Sequence, residues 1–165
     1  ILQKGIPVPF GLIKNRFQDA EEKDLITALS ACAVVVRGNF LLKSSLVAIA
    51  PSVKDARDAI LILMNKYGMV QRERLSGFGV TEEVLNQMMS HFGRYVGNAW
   101  EMKFDDDDSF AFDYPDFAKV YQDYWKRKED ELENYLEIYD NYYEQQGSEE
   151  DEENQDEEME ELVEE

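Results

Sequence analysis

The sequence predicts a mainly α-helical chain with short β-hairpins. The arrangement expected is tandem winged-helix domains, then a long amphipathic helix, then a disordered acidic tail. Three observations carry this. First, VRGNFLLK (36–43) and VGNAWEMK (96–103) share one order: Val, Gly-Asn, an aromatic within two residues and a closing Lys. Their Gly-Asn pairs lie 59 residues apart, and each phrase follows an amphipathic helical stretch. Second, aromatic and aliphatic residues recur at threes, fours and sevens from Phe117 to Tyr143, the spacing of one helix face. Third, charge is divided along the chain. Residues 1–104 hold 13 Lys/Arg and 10 Asp/Glu, while residues 105–165 hold 4 and 26. The overall charge of −19 therefore belongs to the C-terminal part, and the rest is close to neutral.

The elements follow in order. IPVPFGLIKNRF (6–17) starts with two prolines and reads as an extended approach to a short helix. EEKDLITALSACA (21–33) is acidic in its first turn and then apolar at helical spacing. VVVRGNFLLK is a hairpin with Gly38-Asn39 supplying the turn. Pro51 ends this unit, and Ser52 is the expected cap of the next helix, with Asp55 three residues on. DARDAILILMNKYG (55–68) is helical and closed by Gly68. MVQRERLSGFG (69–79) gives a short strand and a helical turn. Thr81 opens a helix whose Glu82 and Glu83 suit the positive end of the helix dipole. The second hairpin spans 94–104. Residues 1–50 thus form a first winged helix without its opening helix, and 51–104 a second, complete one. The chain opens on Ile and reads as a piece of a longer protein, with that helix expected upstream. Residues 105–146 hold an acidic linker and an aromatic helix of roughly 30 residues that Pro115 can begin. Residues 147–165 carry twelve acids and no base, a composition that resists burial.

Several chemistries are excluded or disfavoured. Cys32 is the one cysteine, so no intrachain disulfide exists, and its small apolar neighbours mark it as a buried structural thiol. His91 is the one histidine and sits at a helix end, with nothing tying it to Cys32. DDDD (105–108) lacks calcium-loop spacing, because the sixth position is Phe110 and the twelfth Asp116; it reads as a solvated linker. There is no phosphate-cradling glycine loop, no zinc-ligand set and no apolar run of membrane length. Neither an enzyme, nor a cofactor, nor a small-molecule substrate is expected.

Two interaction surfaces remain. A DNA-binding winged helix lays its third helix in the major groove, where Arg, Lys, Asn and Gln read bases. The corresponding helices here, 21–33 and 81–92, are acidic at their leading ends, and the second has no Lys or Arg. The bases available for a weak backbone contact are Arg37 and Lys43 on the first wing and Arg94 and Lys103 on the second, with Arg72 and Arg74 on a short helix. Protein binding is the stronger expectation. The stripe Phe117, Tyr121, Tyr124, Trp125, Leu132, Tyr135 and Tyr139 serves either packing onto the second winged helix or docking onto another subunit.

The runs VVVRGNFLLKSSLV and WEMKFDDDDSFAFDYPDFAKVYQDYWKRKEDELENYL resemble the Sin-like, E-type subunit of RNA polymerase III. The resemblance covers roughly residues 34–145. It implies a nuclear, non-catalytic subunit that joins the other RNA polymerase III subunits, including a TFIIF-like heterodimer partner. It further implies a part in initiation and termination on small-RNA genes. The dimerising barrel of such a subunit would lie upstream of Ile1.

Overall fold

The structure, a computed structural model, describes Leu2 and residues 5–146. The acidic tail expected at 147–165 lies outside the described residues. The molecule is mainly helical, with two small antiparallel sheets. Strand β1 (Val8–Pro9), helices α1 (Phe10–Arg16) and α2 (Glu22–Cys32), and the hairpin of β2 (Ala33–Val36) and β3 (Asn39–Leu42) form a first unit. Helix α3 (Pro51–Tyr67) follows. A second unit repeats the order: β4 (Met69–Gln71), a 3-10 segment Glu73–Phe78, α4 (Glu82–Phe92), then β5 (Gly93–Val96) and β6 (Ala99–Met102). The sheets run β1-β3-β2 and β4-β6-β5.

The hairpins correct the turn assignment. Val36 pairs with Asn39, so the first turn is Arg37-Gly38, not Gly38-Asn39. Its φ values are 49° and 80°, positive at both central positions as a type I′ turn requires. In the second hairpin Val96 pairs with Ala99 around Gly97-Asn98, and only Gly97, at 65°, has positive φ. Val36 thus corresponds to Val96 and Asn39 to Ala99, an offset of 60 rather than the 59 of the Gly-Asn pairs. Asn39 is instead a buried strand residue whose Nδ2 donates to the carbonyls of Arg37 (3.3 Å) and Asp105 (3.1 Å).

Helix α3 also begins earlier than expected. Pro51 is its first residue, where a missing N–H costs nothing, and Ser52 makes no capping bond. Gly68 closes it in the left-handed conformation, its N–H donating to the Met64 carbonyl at 2.9 Å. All eight residues from Arg57 to Met64 are buried. A helix enclosed on every side needs neighbours on every side, and this one has them. Val34, Val36 and Leu41 of the first hairpin, Leu85, Met89 and Phe92 of α4, and Trp100 of β6 join it in one core. A second core gathers Phe10, Ile13, Ile26, Leu29 and Phe40.

The first sheet is buried on both faces: Val34, Val36 and Leu41 point to the α3 core, and Val35, Phe40 and Leu42 to the second. A sheet without a wet face needs a continuous apolar run, which is why VVV is unbroken. The second sheet has a wet face. Arg94 and Glu101, at the positions equivalent to Val34 and Leu41, are cross-strand partners joined at 2.7 Å.

The stretch DDDD, exposed at Asp105, Asp106 and Asp108 as a solvated linker would be, also forms an ordered strap over the first turn. The Asp107 N–H donates to the Arg37 carbonyl at 3.0 Å, and the Asp106 carboxylate pairs with the Arg37 guanidinium at 2.7 Å. The Asp107 carboxylate then accepts the Ser109 N–H at 3.0 Å and starts helix α5 (Ser109–Asp113). The long aromatic helix is likewise not one rod. It breaks at Leu132 (φ −111°, ψ 22°) into α6 (Pro115–Glu131) and α7 (Glu133–Asp140). The break keeps Leu132 buried while α7 turns onto the 3-10 segment, where Ile138 covers Gly77. Cys32 is half-buried at the end of α2 rather than enclosed, and its thiol leans on the Ala28 carbonyl.

Two glycines with the same backbone demand separate conformation from contact. A Cβ at Gly97 would meet open space, whereas one at Gly38 would overlap the Asp107 carbonyl. Gly97→Ala is expected to cost about 1 kcal/mol, from the positive φ alone. Gly38→Ala is expected to cost about 3 kcal/mol, because the strap must also move. Urea denaturation of the two variants checks this, and equal losses would remove the strap's role.

Candidate docking surfaces

The four basic residues expected on the wings occupy different environments. Arg37 is engaged in the fold: its Nε donates to the Met64 carbonyl (2.9 Å) and its Nη1 meets Asp106. It therefore ties the first turn to the end of α3. Lys43 donates to the Ser30 carbonyl at 3.0 Å and lies 5.7 Å from the Tyr124 ring centre. Arg94 pairs with Glu101, and Lys103 is exposed. Arg72 pairs with Glu82, and Arg74 clamps α7, its Nε donating to the Tyr139 carbonyl at 2.8 Å and its guanidinium 4.0 Å from that ring's centre.

The aromatic stripe faces inward. Phe117 and Tyr121 pack into the second core beside Phe110, and Tyr121 meets Phe40 edge-on at 5.7 Å. Trp125, Leu132 and Tyr139 are buried in the α3 core, with Tyr124 and Tyr135 partly buried against it. The Trp125 indole N–H donates to the Val35 carbonyl at 2.7 Å, and the Tyr139 hydroxyl accepts the Gln71 N–H at 2.9 Å. Of the two uses open to the stripe, packing on the chain itself is the one seen here. It reaches both units, not the second alone.

A buried polar network joins α3 to this stripe, and no sequence motif marks it. Arg57 is 1 % exposed, and its Nη1 donates to the Leu42 carbonyl (3.0 Å) and the Ser44 hydroxyl (2.8 Å). The Ser44 hydroxyl donates in turn to the Asp58 carboxylate at 2.6 Å, and Lys128 of α6 approaches that carboxylate at 3.9 Å. Burial pulls the Arg57 guanidinium down to about 10, against the raising effect of Asp58. Burial pushes the Asp58 carboxyl above its ordinary range, opposed by Ser44, Lys128 and Arg57. Buried ions placed so are structural: breaking one partnership leaves the other charge uncompensated. In the sequence nothing sets Arg57 and Asp58 apart from the other charges of the helix, Lys54, Asp55 and Lys66.

An open cleft of about 500 Å³ lies between the 3-10 segment, the start of α4 and the second hairpin. Leu75, Val80, Leu85 and Tyr95 give it apolar walls; Arg72, Glu82 and Asn98 lie at its polar side. Among the described residues no His, Cys, Asp and Glu cluster has metal-binding geometry, and no helix is long and apolar enough to cross a membrane. Exposed apolar residues at the hairpin, Tyr95 and Val96, and on α5, Phe112, make association the chemistry this surface supports.

The Asp58 environment has a pH signature. A carboxyl whose folded pKa is raised binds its proton more tightly when folded, so its stabilising effect is complete at low pH and fades as pH rises through the folded value. The stability of the native chain relative to Asp58→Asn is therefore expected to fall as pH rises above the ordinary aspartate value of about 4. Parallel stability curves for the two proteins would contradict the assignment.

Residues 9–134 match a family model described as RPC5 protein, a match covering well over half of the chain. A comparison with curated proteins finds no match. The matched span runs from the end of β1 through the rest of both sheet-bearing units, α3, the acidic strap and α6 to the start of α7. The chain belongs to the RPC5 family, a family of RNA polymerase III subunits.

Proposed function

We propose that this chain is a non-catalytic docking module of RNA polymerase III, built from two winged-helix units held together by α3 and the α6–α7 strap. It acts in the nucleus by positioning other components in initiation and termination on small-RNA genes. Its partners are other subunits of the enzyme, among them a TFIIF-like heterodimer partner. The observation that carries this is the outward face of each unit's second helix. Glu82, Glu83, Val84, Gln87, Ser90 and His91 are the exposed positions of α4, and Glu22, Lys23, Asp24, Thr27 and Ala28 lead the exposed side of α2. A helix that reads DNA needs cations to displace counterions and side chains that reach base edges. These faces present acids at the leading end and, Lys23 apart, no Lys or Arg, a charge pattern that suits protein better than DNA.

The alternative, a winged-helix transcription factor using its wings on the DNA backbone, retains only the exposed Lys103 and the Glu101-paired Arg94 on the second hairpin.

Two measurements separate these readings. Purification of the tagged chain from nuclei is expected to recover RNA polymerase III subunits, and recovery without them would sink the docking reading. Titration of duplex DNA at rising salt is expected to give weak binding with a shallow salt slope. A steep slope that Arg94→Ala and Lys103→Ala together abolish would favour the transcription-factor reading instead.

A further inference from the structure

Exposed apolar surface and unpaired charge meet on the stretch FDDDDSFAFDYPDFA (104–118), which carries six acids and no Lys or Arg. Its short helix α5 cannot bury both of its phenylalanines, because positions two apart stand about 200° apart round a helix. Phe110 takes the inward side, edge-on to Phe10 at 5.2 Å and to Phe40 at 5.0 Å in the second core. Phe112 is left outside at 88 % exposure, and no other large apolar side chain among the described residues exceeds 55 %. The Phe112 N–H donates to the Asp108 carbonyl at 3.0 Å, so Asp108 stands one turn before it on the same helix face. Asp113 is exposed next to it in the chain. Asp107, Asp108 and Ala111 also line a groove of about 150 Å³, together with Ala118 and Gln122 of α6. Asp106 is the one acid of the stretch that meets a base among the described residues. The strap that carries these acids is held in place: Asn39 Nδ2 donates to the Asp105 carbonyl, and the Asp107 N–H to the Arg37 carbonyl. An acidic array fixed in this way loses little freedom when a partner binds.

We propose that the α5 face of Phe112, Asp108 and Asp113 is a docking site for an amphipathic segment of another polypeptide that bears Lys or Arg. The partner's apolar side chains cover the Phe112 ring, and its cations meet the unpaired carboxylates. The ring is the anchor, since an aromatic group taken out of water at the centre of a contact carries much of the binding energy. The acids at its rim select the partner by charge and speed the encounter. A groove of this size takes one side chain, and the aliphatic stem of a Lys suits it, with its ammonium toward Asp108. Charge also decides against occupants supplied by the chain itself. Residues 147–165 hold twelve acids and no base, so an acidic face repels them. A two-fold contact between copies would set the same carboxylates against one another. That the partner belongs to the polymerase rests on the docking reading above; the chemistry of the surface rests on Phe112 and its acids.

The first arm of the test titrates the full chain, isotope-labelled, with an amphipathic Lys/Leu model peptide and with a Glu/Leu peptide of the same pattern. The Lys/Leu peptide is expected to shift the amide signals of Asp108, Phe112 and Asp113 and to weaken as salt rises. Its affinity for Phe112→Ala is expected to be about tenfold lower. That variant should keep the native Tm, because the ring it removes is exposed. The Glu/Leu peptide is expected not to bind. Shifts confined to residues 147–165, or equal affinity for the native chain and Phe112→Ala, would overturn the site. The second arm replaces Phe112 by a photo-crosslinking phenylalanine analogue in RNA polymerase III reassembled from purified subunits. A crosslink to a segment of a neighbouring subunit that bears Lys or Arg is expected. An assembled enzyme in which the analogue stays unreacted, or reacts only within this chain, with a second copy or with a segment lacking Lys and Arg, would refute the partner. Failure of the chain to assemble while the Lys/Leu peptide still binds at Phe112 would strike the polymerase reading and leave the site standing.

Discussion

The enclosure of α3 is the constraint from which the rest of the architecture follows. Eight consecutive residues, Arg57 to Met64, are buried, so no side of the middle of this helix faces water, while Ser52, Asp55 and Lys66 near its ends do. One small unit has too little apolar surface to cover a helix all round. The first hairpin covers one side with Val34, Val36 and Leu41, the second unit covers another with Leu85, Met89 and Phe92, and α6 and α7 close the remainder with Trp125, Leu132 and Tyr139. Burial of apolar surface is the main favourable term in folding, and here it is shared among parts far apart in sequence. The two units are therefore mechanically coupled through α3. Arg57 and Asp58 add direction to the coupling, because a buried ion requires its partners in place.

The repeat has been differentiated by solvent rather than by backbone. Both hairpins hold the same register and strand order, yet Val34 and Leu41 of the first correspond to Arg94 and Glu101 of the second. The first is a core element, gripped by the acidic strap and by the Trp125 indole. The second keeps one wet face and one open edge. A single scaffold thus provides a structural copy and an accessible copy, a division suited to a subunit that must be held rigidly while presenting a surface.

That division bears on how a member of an RNA polymerase III subunit family presents surfaces for association. The described chain offers an apolar cleft with a neutralised rim, an exposed strand edge and second helices with acidic leading ends. These are features of association. Rigidity raises the value of such a surface, since side chains already fixed lose less entropy on binding. The aromatic stripe contributes through that rigidity, joining α6 and α7 to both units.

Much of this was legible in the sequence. Helical periodicity located α2, α3, α4 and the aromatic stripe; turn chemistry located both hairpins; charge division separated the near-neutral body from the acidic C-terminal part. These are local properties, set by backbone propensity and by which residues avoid water. What tertiary structure decided is of another kind. The turn fell on Arg37-Gly38 because Asn39 is needed inside, holding two carbonyls. DDDD became a strap because Arg37 and its carbonyl stand within reach. The stripe turned inward and broke at Leu132 because two cores required covering at different angles. Arg57 and Asp58 carry no motif, since their meaning lies in Ser44 and Lys128, brought close by folding. The sequence by itself determined which segments would be helices and hairpins and where the charge would lie. Only the tertiary structure decided which copy of the repeat would be sealed and which left open, because that depends on where one distant tryptophan finds its carbonyl.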